Sequence, residues 1–143
     1  MDKEGRWRFE HVVEVRKTTL DEKDHSRLVS EHELARVYLS ARRIPDAIEI
    51  LEHVVEVRKM TLDEKDHSRL TSEHALAMAY LDDSQAQKAV DLLEHVVTVE
   101  SQLFDEDDPD RHISLELLED ARQQLEAEWE PESNVSEQDT PSV

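Results

Sequence analysis

The sequence carries eight histidines and 36 acidic residues, ample material for metal binding or acid–base catalysis. The histidines fall in register. His11, His53 and His95 are spaced by 42 residues, as are His25 and His67, and His32 and His74. Zinc chemistry needs ligands converging on one point, usually with short paired spacings. Residues one long period apart sit on neighbouring units of a stack, roughly 10 Å apart at helix-packing distance. The string "HELA" from His32 to Ala35 lacks the second histidine of a metalloprotease helix. The string "DEDDPDRHISLE" from Asp105 to Glu116 puts carboxylates at positions one, three and twelve of an EF-hand loop. Pro109 then stands where the fifth-position ligand belongs and Asp110 where glycine makes the sharp turn. The histidines therefore read as surface or packing residues copied with a repeat, and the acidic string as a loop between units. No metal or cofactor is expected.

Catalysis has equally little to stand on. Gly5 is the only glycine, so no phosphate loop exists, and no nucleophile–base–orienter set stands apart from the repeat. The chain reads as a non-enzyme.

Composition narrows the partners. A net charge of −19 repels phosphate backbones and anionic membrane surfaces, which disfavours nucleic acid and membrane. There is no cysteine, hence no disulfide framework. No apolar run has a transmembrane length, and the first twenty residues are too charged for a signal peptide. These features point to the cytoplasm.

The elements that position these residues follow from one near-verbatim string. "HVVEVRKTTLDEKDHSRL" at His11 returns as "HVVEVRKMTLDEKDHSRL" at His53, and a divergent copy begins at His95. A period of this length with helical patterning indicates a helix-pair solenoid. Ile44, Ala47, Ile48, Leu51, Val54 and Val55 follow the spacing of one helix face, as do Leu76, Ala77 and Tyr80. Asp24 and Asp66 are N-cap candidates, and Asp108-Pro109 marks the same phase in the third copy. Six helices are predicted, over 4–19, 24–41, 44–61, 66–82, 86–103 and 109–129. Residues 131–143, acidic and rich in Pro and Ser, are expected to be disordered.

The recurring Leu-Ala-x-x-Tyr, turn, Ala-x-x-x-Leu-x-x-Val pattern resembles the tetratricopeptide repeat. It is carried by Leu34, Ala35, Tyr38, Ala47, Leu51 and Val54, then by Leu76, Ala77, Tyr80, Ala89, Leu93 and Val96. The long unit is similar to that of kinesin light chains, and closer still to the C-terminal arrays of fungal NLR-like (STAND) proteins, which follow an NTPase module. The resemblance implies an all-α, right-handed superhelix over 4–130: a half-unit at 4–19, units at 24–61 and 66–103, and a cap helix at 109–129. Arg42 and Ser84 stand where the family usually has a turn glycine, and His25 and His67 where it has proline. Glu119 and Arg122 replace the alanine and tyrosine of the earlier units, which suits a solvent-facing last helix.

The family binds peptides or partner proteins on the concave face. By repeat phase that face presents Val29, His32, Arg36, Leu39, Thr71, His74, Met78 and Leu81. Kinesin light chains hold peptide backbone with asparagines near the phase of His32 and His74. The lysine- and asparagine-rich clamp of chaperone-binding members is missing. At the other end, the helix at 4–19 has the phase of a second helix without its first. Trp7 and Phe9 there are candidates for self-association into a homo-oligomer. The expected function is a non-catalytic protein-interaction scaffold, which the resemblance would make the sensor end of an NLR-like signalling protein, with structural self-assembly as the alternative.

Overall fold

The computed structural model describes residues 3–138, with side chains to residue 129. Its elements are α1 (Lys3–Thr19), α2 (His25–Ser40), α3 (Ile44–Thr61), α4 (His67–Asp82), α5 (Ala86–Leu103) and α6 (Pro109–Gln138), with no strand among the described residues. Each helix packs on its neighbours in sequence, and α4 also touches α6. The result is a right-handed helix-pair solenoid.

The repeated string builds the joint between units. Asp24, Asp66 and Asp108 cap α2, α4 and α6 by accepting from the backbone N–H of Arg27, Arg69 and Arg111. Those arginines then reach back through Nη1 to the carbonyls of Leu20, Leu62 and Phe104, at 3.2, 3.2 and 3.1 Å. One short string thus satisfies the start of one helix and the end of the previous one. A second ladder ties the pairs together. Tyr38 Oη donates to Glu10 and Tyr80 Oη to Glu52, both at 2.8 Å, and the third copy substitutes an Arg122–Glu94 ion pair at 3.5 Å.

Between α2 and α3, and between α4 and α5, the chain turns through Arg42 (φ 63°) and Ser84 (φ 59°). The amides of Arg43 and Gln85 bond back to the carbonyls of Tyr38 and Tyr80 at 2.8 Å, closing each helix in a Schellman turn. The left-handed conformation is forced on residues that bear a Cβ, at the two places where a glycine would fit without strain.

The core runs along the stack. Ala35, Ala47, Ala77, Ala89 and Ala121 are fully buried and let the helices approach, while Leu51 and Leu93 fill between them. Glu119 and Arg122 face outward on α6. One expectation needs correction. Residues 131–138, read as disordered, continue α6 to Gln138. Extending a helix that already exists adds one hydrogen bond per residue fixed, with no new nucleation cost. The last five positions of that tail lie outside the described residues.

Candidate functional site: the concave groove

α2 and α4 lie side by side and, with Phe9 of α1, enclose a groove of about 690 Å³. Its lining includes six of the eight residues expected there: His32, Arg36, Leu39, Thr71, His74 and Met78. The 42-residue period explains the pairing, since His32 and His74, or Arg36 and Met78, hold one phase on successive first helices. Val29 is exposed but lies outside the lining, and Leu81 packs against the core instead.

The groove mixes apolar and polar groups. Met78 stands exposed in it, and Arg36 pairs with Glu33 at 3.4 Å on its open side. His32 Nδ1 and His74 Nε2 are buried without a hydrogen-bond partner. Burial holds both imidazoles below their ordinary value; Arg58 adds to this at His32, whereas Asp110 opposes it at His74. Both rings line the groove, and an imidazole edge that reaches its opening can give or take one hydrogen bond from a bound backbone.

Sequence reasoning missed Phe9 as a groove residue. Its neighbour in that expectation, Trp7, is 62 % exposed and stacks on His11 at 5.1 Å. The two aromatics do not share a surface: Phe9 faces the groove, and Trp7 lines a separate shallow hollow with Lys3, Glu4 and Arg8. The apolar face that lacks cover holds Val12 (43 % exposed) and Val15 (45 %). Their equivalents one period on, Val54 and Val57, are buried against Leu28 of the preceding helix.

A second cavity was also missed. It lies between α4, α5 and α6, measures about 230 Å³, and shares Thr71 and His74 with the groove. Its signal was present in the sequence: Arg16 and Arg58 hold one phase of the repeat, and Glu100 breaks it.

The remaining histidines sit on another face. His53 Nε2 lies 3.9 Å from both Glu22 and Glu31, and His95 Nε2 lies 4.0 Å from Glu64 and 3.8 Å from Glu73. Glu31 and Glu73 are buried and each takes a hydrogen bond from an arginine Nε, of Arg27 at 3.0 Å and of Arg69 at 2.9 Å. Among the described residues, no three His, Asp or Glu side chains are placed to hold a metal ion.

An all-α stack of helix pairs with a lined concave face defines a repeat scaffold. The chain belongs to the tetratricopeptide repeat family, whose pattern matches residues 26–102. Among solved structures it is similar to the nearly identical TPR-like repeats of a Podosopora anserina protein described as a kinesin light chain, with 36 % identity, a TM-score of 0.77, and coverage of 94 % of this chain and 64 % of that one. A point variant of the same repeats gives 36 % identity and a TM-score of 0.78, again over 94 % and 64 % of the two chains. The chain therefore spans just under two thirds of those solved chains. The fold also matches BtubC (BKLC) from P. vanneervenii, at 15 % identity and a TM-score of 0.74 over 84 % of this chain and 48 % of that one. No protein of curated function matches.

Proposed function

We propose that the chain is a non-catalytic scaffold that captures a peptide or a segment of a partner protein in the concave groove. The observation that carries this reading is the groove itself, which His32 and His74 line at one phase of the repeat. The partner's backbone would take hydrogen bonds from these imidazoles, and its side chains would rest on Phe9, Leu39 and Met78. Among the described residues no helix is long and apolar enough to cross a membrane, and the charge of −19 argues against nucleic acid. We place this activity in the cytoplasm. In a longer parent that carries an NTPase module, as the resemblance to fungal NLR-like proteins implies, capture here would bias the NTPase switch. The test is peptide display against the immobilised chain, followed by replacement of His32, Arg36, His74 and Met78 together by alanine. Selected peptides should lose binding; undiminished binding would sink the groove assignment.

A second reading is favoured by one specific contrast, the exposure of Val12 and Val15 where Val54 and Val57 are buried. In it, α1 pairs with a second copy of the chain, and Trp7 borders the contact. Light scattering after gel filtration should then report a dimer, reverting to monomer when Val12 and Val15 are changed to serine. A monomeric wild-type chain at high concentration rejects this reading.

A further inference from the structure

One phase of the second helices reads Arg16, Arg58 and then Glu100. Arg16 donates through Nη1 to the carbonyl of Ser26 at 3.0 Å and also to Ser30 Oγ. Arg58 donates to the carbonyl of Ser68 at 3.0 Å. Each guanidinium thus fills the space between one unit's second helix and the first turn of the next unit. One period further, Asp110 and Ser114 stand where Ser68 and Ser72 stood, and no guanidinium arrives. Glu100 takes a hydrogen bond from Ser114 Oγ at 2.7 Å on one oxygen, and its Oε2 is buried without a partner. Glu100 is only 5 % exposed.

That carboxylate lines the 230 Å³ cavity. Leu70, Phe104 and Ile113 give it apolar walls, and Asp110 adds a second carboxylate. The nearby Arg111 is committed to the carbonyl of Phe104 at 3.1 Å, and no ion pair joins Glu100 to a cation among the described residues. His67 and His74 also face the space. Burial keeps His74 below its ordinary value, so it supplies no counter-charge at neutral pH. A buried carboxylate with no cation is unfavourable, and a charged, hydrogen-bonding partner offsets part of that cost.

We propose that this cavity receives an arginine side chain of the partner peptide, whose guanidinium stands between Glu100 and Asp110 where the other two units keep an arginine of their own. The stem lies along Leu70, Phe104 and Ile113, as arginine stems do on apolar surface. Arginine is preferred over lysine because the same site in the other units is shaped for a planar, multiply donating head. Thr71 and His74 border both cavity and groove, so one extended peptide reaches both. The net charge of −19 draws a basic peptide toward this surface. The proposal depends on the groove reading for the path of the peptide, but the pocket is tested separately.

The test is an NMR titration of the full chain with N-acetyl-arginine amide, its lysine counterpart, and N-acetyl-citrulline amide as the neutral isostere. Arginine amide should give saturable shifts confined to the amides around Thr71, His74, Ile113 and Ser114. Lysine amide should bind more weakly, and citrulline amide roughly tenfold or more weakly. Glu100→Arg, which restores the residue of the other units, should abolish the response. Glu100→Gln, a near-isosteric change, should weaken it roughly tenfold and carries the test if the arginine variant misfolds. Equal response to citrulline, lysine binding tighter than arginine, shifts spread without saturation over the acidic surface, or binding that survives in both variants would each overturn the proposal. Selected peptides that lack basic residues and ignore Glu100→Arg would overturn the pocket and leave the groove standing. An intact arginine response, with peptide binding indifferent to changes at His32, Arg36 and Met78, would do the reverse.

Discussion

Arg58 and Glu100 occupy one place in successive units with opposite charge. At the middle junction a buried guanidinium ties α3 to the start of α4 through the carbonyl of Ser68. At the last, a buried carboxylate faces Ser114 and an open cavity. The first-helix side of the joint changes as well. Arg69 holds the fully buried Glu73, whereas Arg111 has Leu115 at that position and serves only the Phe104 carbonyl. A solenoid of near-identical units is therefore not uniform in energy or in chemistry. The middle junction holds a buried Arg69–Glu73 ion pair beside a guanidinium that meets a carbonyl, whereas the last holds a buried carboxylate that meets a hydroxyl and a cavity.

The sharpest way to break this contrast is to remove one arginine from each junction. Arg69→Met leaves the buried Glu73 without its guanidinium, with only the His95 ring nearby, and should cost about 3–5 kcal/mol in urea unfolding. Arg111→Met removes a bond to a carbonyl and a minor pull on Glu100, and should cost about 1 kcal/mol. Equal losses would mean that the two junctions are alike.

A smaller effect is expected at Glu100 itself. Burial raises its carboxyl above the ordinary 4.5, with Asp110 and Asp108 adding to this against the pull of Ser114 and Arg111. The folded chain then holds this proton more tightly than the unfolded chain. Its ionisation lowers stability as pH rises through the folded value, and the penalty is gone below 4.5. Glu100→Gln should thus stabilise the chain by on the order of 1 kcal/mol at neutral pH. Thermal melts as a function of pH should show that gain vanish in acid. A gain that persists in acid would assign the effect to packing.

The turns serve as an internal control, because both units share the same strain. Arg42→Gly and Ser84→Gly should each stabilise by up to about 1 kcal/mol in the same unfolding assay. A gain at one turn alone would show that the other is held by contacts beyond its backbone.

The groove histidines give the smallest difference. Their lowered values mean that stability is complete above 6.5 and is lost as pH falls through the folded values. His32→Gln and His74→Gln should each flatten that loss by less than about 1 kcal/mol. At His32 Arg58 and Arg36 reinforce burial against Glu33, and at His74 Asp110 opposes it.

The helix pairs were legible because periodic apolar residues and N-cap aspartates are local signals. Asp24, Asp66 and Asp108 begin their helices where the sequence places them. Six groove residues were legible because one phase recurs on successive first helices. Val29 and Leu81 were not, since phase alone does not say how far a side chain stands from its neighbours. Phe9 was read as part of an uncovered end, although its helix turns it toward the groove. The buried pairing of Arg69 with Glu73 was not read from the sequence, because burial depends on what the next helix covers. The exchange of arginine for glutamate at position 100 was visible, but its cavity required knowing that Arg16 and Arg58 point between units.

The joint made by the capping aspartate and the back-reaching arginine lies wholly inside the copied string. Excising residues 24–65 would join Lys23 to Asp66 and write the same "LDEKDHSRL" again. Arg69 would then find the carbonyl of Leu20 in place of that of Leu62. Unequal crossover between the copies in a gene therefore lengthens or shortens the array in whole units and leaves every seam chemically intact. Recombination can change the size of the protein's surface without passing through a broken fold.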